Sequence, residues 1–370
     1  MTTPSSCAGL TRASIILRRK LDCRVKPGND KGAMLQPLKH LRRRDFITLL
    51  GGAAITPSLR PLAARAQQSG KPARIGVFAS PINPIMGPAY RAFLEELRRV
   101  GFSEGQNLVV DQKPTDQDLS ALPEQAAAMV RANVDVLVAL GSEQALQSCI
   151  RASRTIPIVF VANNYDPIAR GYVQSLAKPG GNVTGVSLRQ TELAEKQVEL
   201  LTQAFPDRTR LAVLWDYVST HQFEAAERRA KLLRLEVHSR KMENPPYDIE
   251  AAFRGFANAG ANMLLALTSQ FFGPHRQQIV ELAIRQRLPS MFIFKGYAEA
   301  GGLMSYGADP VAMYRQGGTF VGKILKGAKP ADLPVEQPTK YEMMINLKTA
   351  KAIGVELPTT ILIRADEVIE

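Results

Sequence analysis

From Lys71 onward, short apolar runs alternate with longer stretches in which apolar residues recur every three or four positions. Side chains on a strand change face with a period of two, and those on a helix return to one face every 3.6 residues, so the two patterns predict different elements. Strands are predicted over 74–79, 108–112, 134–140, 156–161, 185–188, 210–215, 236–240, 263–267 and 290–294. Helices are predicted over 88–100, 122–131, 142–152, 192–204, 223–233, 249–259 and 276–286. Strands that alternate with helices in this way build parallel sheets from βα units. About 300 residues are too many for one ordinary core and suit two lobes. Lys178-Pro179-Gly180-Gly181-Asn182, with the residues up to Gly185, interrupts the pattern at mid-chain, and Ala300-Gly301-Gly302 interrupts it again. Such clusters of turn formers are read as crossings between lobes. The expected fold is α/β, with two Rossmann-like lobes of parallel sheet joined by a hinge. One lobe comprises 72–184 with about 302–330, the other 185–301 with about 331–370.

The residues upstream follow a different plan. Arg43-Arg44-Asp45-Phe46 precedes a moderately apolar run over 47–55, and Ala64-Arg65-Ala66 follows it. Paired arginines, a short apolar segment and a small-x-small site form the layout of a twin-arginine export signal. Cleavage is expected after Ala66 and the periplasm is the expected destination. Pro57 and Pro61 stop the apolar run far short of the roughly 20 residues a membrane helix needs, so the mature chain is not expected to span a bilayer. Met34 stands where a short basic leader would begin. Residues 1–33, without any period, read either as an upstream start chosen in error or as a disordered extension.

This division changes the charge argument. The whole chain has 47 Lys and Arg against 34 Asp and Glu, but residues 1–66 hold 13 of the bases and 3 of the acids, which leaves a net of +3 for the remainder. The basicity is mostly leader, and nucleic acid is not an expected partner. Cys149 is the one cysteine downstream of the leader, so no intrachain disulfide or cysteine metal site is expected. His221, His238 and His275 lack ligand spacing, and neither metal nor cofactor is expected. Gly317 to Lys323 has the spacing of a phosphate loop, but Ile324 replaces the required Ser or Thr and the segment reads as helix interior.

In open α/β sheets a ligand collects beyond the carboxyl ends of the strands. Those ends supply Ser80, Gly141, Ser142, Glu143, Asn163 and Asp166 in the first lobe. In the second they supply Trp215, Tyr217, Thr268, Ser269, Gln270, Phe271, Lys295 and Tyr297. Gly141 lets backbone approach a ligand, and a helix starting at Ser142 aims free N–H groups at it, which suits a carboxylate. The same serine also fits an ordinary N-cap. Asp166 suits a ligand ammonium or a turn before Pro167. The aromatic side chains suit the wall of an apolar or aromatic ligand, or a core. Lys295, directly after an apolar strand, stands on the lobe rim.

Several motifs carry a resemblance. Gly101-Phe102-Ser103-Glu104-Gly105-Gln106-Asn107-Leu108, Ile156-Pro157-Ile158-Val159-Phe160 leading to Asp166-Pro167, and Ala177-Lys178-Pro179-Gly180-Gly181-Asn182-Val183-Thr184-Gly185 occur in that order. Glu299-Ala300-Gly301-Gly302-Leu303-Met304-Ser305-Tyr306-Gly307 and Leu333-Pro334-Val335-Glu336-Gln337-Pro338-Thr339-Lys340 follow. Over roughly 72–370 the chain resembles the ABC-transporter substrate-binding proteins related to the tryptophan- and tyrosine-binding type. The resemblance implies a type I periplasmic-binding fold whose lobes close on a small-molecule ligand, amino-acid-like or an aromatic or apolar organic acid. It also implies delivery to an inner-membrane ABC permease with its ATPase. Two other classes stay open: a ligand sensor read by a membrane receptor, and an exported enzyme using Asp166 or Asp216 as acid or base.

Overall fold

A computed structural model describes residues 71–370, apart from Pro81, Ile82, Pro84, Asp116, Gln117, Asn164, Asn244 and Pro245. The expected export leader, the expected cleavage after Ala66 and the expected start at Met34 lie outside the described residues. Among the described residues twelve strands form two sheets. The first holds β1 (Ala73–Phe78), β2 (Leu108–Lys113), β3 (Val136–Gly141), β4 (Ile158–Ala162) and β5 (Val183–Ser187) in the order β2-β1-β3-β4-β5. The second holds β6 (Arg210–Asp216), β7 (Glu236–Met242), β8 (Met263–Ala266), β9 (Ser290–Phe292), β10 (Met304–Gly307), β11 (Glu342–Asn346) and β12 (Glu367–Ile369). Their order is β12-β11-β10-β9-β8-β6-β7. All pairings are parallel except β10 with β11.

The first sheet shows why near-continuous apolar strands were needed: both of its faces are covered. In β3, Leu137 and Ala139 join one core with Phe78 and Phe160, under α2 (Leu122–Arg131) and α3 (Glu143–Ala152). Val136, Val138 and Leu140 point the other way, into a core with Phe93 of α1 (Met86–Arg99). The second sheet is flanked by α4 (Gln190–Ala204), α5 (Thr220–Leu232), α6 (Ile249–Asn258), α7 (Arg276–Arg285) and the short α8 (Lys295–Glu299). The long α9 (Pro310–Leu325) returns to the first sheet and packs on α1, where Gly317 and Gly318 leave room for Phe93 and Glu96. The former phosphate-loop match lies inside this helix.

The crossings between sheets fall later than the turn formers suggested. Val183–Ser187 pairs in register with β4, so the Pro-Gly-Gly-Asn turn brings in one more strand of the first sheet, and the chain crosses after Ser187. Met304–Gly307 belongs to the second sheet, and α9 alone carries the chain back. A third passage follows α9, where Glu336 bridges Val186 and Thr184 Oγ1 donates to the Leu333 carbonyl at 2.7 Å. Turn residues mark where a chain bends but carry no information about which sheet it rejoins.

Candidate functional site

Each sheet reverses the direction of its strand order once, between β1 and β3 in the first and between β6 and β8 in the second. At such a switch point neighbouring loops leave in opposite directions and open a crevice beyond the carboxyl ends. A cleft lies there, lined from both lobes.

The first lobe contributes Ser80 after β1, Thr115 after β2, Gly141 at the end of β3 with Ser142 after it, and Asn163 after β4. Ser80 and Thr115 share a hydroxyl hydrogen bond of 2.9 Å. Gly141 takes φ +92°, and a Cβ there would sit 3.2 Å from the Tyr314 hydroxyl and 3.3 Å from Asn163 Nδ2, so glycine suits both the backbone and the space. Ser142 is buried and caps α3, its Oγ accepting from the Ala145 N–H at 3.3 Å. The first-turn N–H groups of α3 thus begin at the cleft wall, with the positive end of the helix dipole. Asn163 is 5 % exposed; its Nδ2 lies 3.6 Å from Met86 Sδ, and its Oδ1 is buried with no partner among the described residues.

The second lobe contributes Thr268, Ser269 and Gln270 after β8, Ile293 and Phe294 after β9, and Tyr297 on α8. The Thr268 backbone is held by Gln222, which donates to its carbonyl at 3.3 Å and accepts from its N–H at 3.1 Å. The Ser269 hydroxyl donates to Asp216 Oδ2 and accepts from the Phe271 N–H. Asp216 is fully buried at the end of β6, where Tyr247 donates to Oδ2 and the Val218 N–H to Oδ1, both at 3.1 Å. Burial pushes its carboxyl above the usual Asp range, and these donors oppose that rise. Tyr297 stacks on Phe292 with centroids 4.6 Å apart, and burial raises its phenol pKa. Both side-chain ends of Gln270 are buried without a partner among the described residues. None of the described lining residues carries a formal charge.

Of the expected site residues, Ser80, Gly141, Ser142, Asn163, Thr268, Ser269, Gln270 and Tyr297 meet in this cleft. The structure sets the other six elsewhere. Glu143, next to Ser142, accepts from the Tyr172 hydroxyl at 2.7 Å and pairs with Arg170 at 3.0 Å. Asp166 accepts from the Ile168 and Ala169 N–H groups, as a turn opener does, and borders a separate hollow that also contains Arg189 and His221. Trp215 stacks on Phe223 at 4.2 Å between centroids. Tyr217 and Phe271 pack on each other outside the cleft, with Phe271 also against Tyr247. Lys295 opens α8 beside a polar hollow shared with Asp309 and Lys340. Consecutive residues leaving a strand point to opposite sides, so proximity to a strand end selects the neighbourhood and not the direction.

Sequence reasoning missed Asn83, Ile85, Met86, Thr115, Gly273, Phe294 and Tyr314, all of which line the cleft. Tyr314 sits on α9 among core residues and gave no signal beyond that of an ordinary buried tyrosine. Asn83 had one, the Pro-Ile-Asn-Pro break directly after β1. Its Oδ1 accepts from the Ile85 and Met86 N–H groups at 2.9 and 3.1 Å, fixing the turn that leads into α1. Across the cleft, a Cβ added to Gly273 would collide with the Asn83 amide, so the two lobes meet there.

Two α/β lobes with their switch points facing one crevice define a two-lobed solute-binding protein of type I periplasmic-binding architecture. A family model described as ABC transporter substrate binding protein matches residues 74–369, and the chain belongs to that family. It is 24% identical over 291 residues to the tyrosine-binding protein of Clostridioides difficile strain R20291, covering 78% of this chain and 83% of that one. Among solved structures, a conserved domain protein from Vibrio cholerae is 25% identical, with a TM-score of 0.74 over 80% of this chain and 100% of that one. The ABC domain from Streptococcus pneumonia in complex with L-Trp is also 25% identical, with a TM-score of 0.73 over 81% and 100%. The family is one of substrate-binding proteins and not of catalysts. No helix among the described residues is long and apolar enough to cross a membrane.

Proposed function

We propose that this chain captures an amino-acid-like solute, or an aromatic or apolar organic acid, between its lobes in the periplasm and hands it to an inner-membrane ABC permease driven by its ATPase. The observation that carries the reading is the cleft: apolar side chains (Ile85, Met86, Phe294, Tyr297), the Asn163 Oδ1 and the Gln270 amide, the last two without a partner among the described residues, line one cavity from two lobes. Neither lobe makes that surface alone. The ligands in the names of two similar proteins, tyrosine and L-Trp, support an amino acid with a large side chain. An anionic end sits at the start of α3, where N–H groups and the helix dipole favour negative charge. The lobes close about the passages after Ser187, at Ala308-Asp309 and around Glu336. The protein performs no chemistry on its ligand.

A thermal-shift screen of amino acids and aromatic acids tests this reading. A ligand at 100 times its dissociation constant adds about 2.7 kcal/mol to stability. Stabilisation by one chemical class supports capture, and a flat response across both classes counts against it. The export half of the proposal predicts a mature chain beginning at Gln67, motivated by Ala64-Arg65-Ala66. N-terminal sequencing of periplasmic protein checks that, and a start far from Gln67 refutes it. Replacing Arg43 and Arg44 by Lys is expected to hold the precursor in the cytoplasm; undiminished periplasmic protein would point to the general secretory route.

A further inference from the structure

Two helices of the first lobe carry an unbalanced surface. α1 and α9 pack side by side and run the same way: Phe93 faces Gly317 and Gly318, the Thr319 hydroxyl donates to Glu96 Oε1 at 2.7 Å, and Val100 faces Gly322. Their outer faces expose Arg91, Arg98 and Arg99 on α1 and Arg315 and Lys323 on α9, with Lys326 and Lys329 directly after it. Glu95 and Glu96 are the only acids on either helix. Glu95 pairs with Arg315 at 3.7 Å and Glu96 with Arg99 at 2.6 Å, which leaves Arg91, Arg98, Lys323, Lys326 and Lys329 without an ion pair among the described residues. Residues 67–370 hold 34 bases and 31 acids; with these seven bases and two acids set apart, 27 bases remain against 29 acids. The positive balance of that whole stretch therefore sits on one face. The dipole at a helix C-terminus favours Arg98, Arg99 and Lys323 in the last turns, but not Arg91 and Arg315, which stand mid-helix.

We propose that this face docks the protein on an anionic lipid surface, by attraction to the phosphate headgroups and without insertion. A protein partner is anchored by aromatic or apolar side chains that become buried, and none of the large apolar side chains exposed among the described residues lies on α1 or α9. Attraction of long cationic side chains to a charged plane needs no such anchor. The cations gather where α1 ends and the chain turns into β2, at the amino ends of the strands, whereas the cleft opens at their carboxyl ends. Docking thus leaves the cleft open to solute and holds the protein in the plane of the permease proposed above. The inference goes beyond solute capture and does not depend on which solute is bound.

Cosedimentation with vesicles tests this on the chain from Gln67 onward, which contains every described strand and helix and lacks the basic leader. It is expected to bind vesicles that mix phosphatidylglycerol with phosphatidylcholine, to leave them as salt is raised, and to ignore phosphatidylcholine alone. Combining Arg98→Gln, Lys323→Gln, Lys326→Gln and Lys329→Gln is expected to weaken that binding at least about tenfold, since one cation near an anionic surface contributes about fivefold. A matched variant with Arg234→Gln, Arg285→Gln, Lys348→Gln and Lys351→Gln removes four exposed cations of the second lobe and has the same net charge. It is expected to bind within about twofold of wild type, because attraction fades within a Debye length of the surface. Melting temperature and circular dichroism show whether each variant folds. If the first does not, Lys323→Gln with Lys326→Gln alone is expected to lose at least about fivefold. No phosphatidylglycerol-dependent binding at low salt, or equal losses in the two matched variants, overturns the assignment and leaves solute capture standing. Capture of an acidic protein in place of vesicles overturns it equally.

Discussion

The two walls of the cleft are built on opposite principles. The first lobe offers the start of a helix, with Ser142 capping α3 and Gly141 leaving room for Tyr314 and Asn163. The second offers a loop after β8 whose hydroxyls are tied down from behind by Asp216 and Gln190. One wall is rich in donors and the other in acceptors, though no described residue on either is charged. Polarity in this site comes from how hydrogen bonds are oriented, so small changes behind the wall matter as much as changes on it.

The comparison breaks first at the scaffold. A Cβ at Gly185 of β5 would collide with the Phe160 backbone of β4, so Gly185→Val is expected to cost about 3 kcal/mol or more, read from the urea midpoint. One core cluster contains residues of both sheets, Val138 with Leu264 among them, so the loss should appear in a single transition. Two separate transitions would show the lobes to be independent units.

Next is the group behind the acceptor wall. Asp216→Ala strands the Ser269 and Tyr247 hydroxyls and the Val218 N–H, and is expected to cost about 2–3 kcal/mol by denaturant unfolding. The pH dependence has a defined sign. An acid whose folded pKa is raised contributes stability below its unfolded pKa, about 3.9, and loses that contribution as pH rises through the folded value. The stability of wild type relative to Asp216→Asn should therefore grow as pH falls through that window. A difference that shrinks on acidification would mean that the hydrogen bonds from Ser269, Tyr247, Ser219 and the Val218 N–H outweigh burial.

On the donor wall, Ser142→Ala removes one cap hydrogen bond and is expected to cost about 1 kcal/mol of stability, with about as much again in ligand affinity. The smallest effect belongs to Trp215, stacked on Phe223 away from the cleft. Trp215→Phe should leave ligand affinity within about 0.5 kcal/mol by calorimetry. A larger loss would place that aromatic pair in the site after all.

The two lobes were unequally legible. Strand and helix periods located the elements from β1 to α7, most plainly at the central strands, which are buried on both faces and apolar. The strands from β10 onward, three to five residues long, escaped. Ser142 and Asn163 were readable from strand ends, as were Thr268, Ser269 and Gln270. Trp215 and Tyr217 were not excluded: Trp215 lies in β6 and faces Phe223, while Tyr217 follows a capping turn at Asp216 that depends on Tyr247 and Ser269, distant in sequence. Tyr314 was invisible for the converse reason: α9 joins the first lobe only through long-range packing, on α1 and on β3, β4 and β5.

The central claim, that a ligand is held between the lobes and not on one of them, is tested most directly at Gly273. This residue lies outside the left-handed region, so a side chain strains no backbone. It faces Asn83, however, which is pinned by two N–H groups and has little freedom to move aside. Gly273→Val should leave the isolated protein folded with a near-native melting temperature and prop the lobes apart. Calorimetry with the amino acid that most stabilises the wild type is then expected to show affinity lower by about tenfold or more, since binding must displace the prop. Wild-type affinity in the folded variant would contradict capture between the lobes.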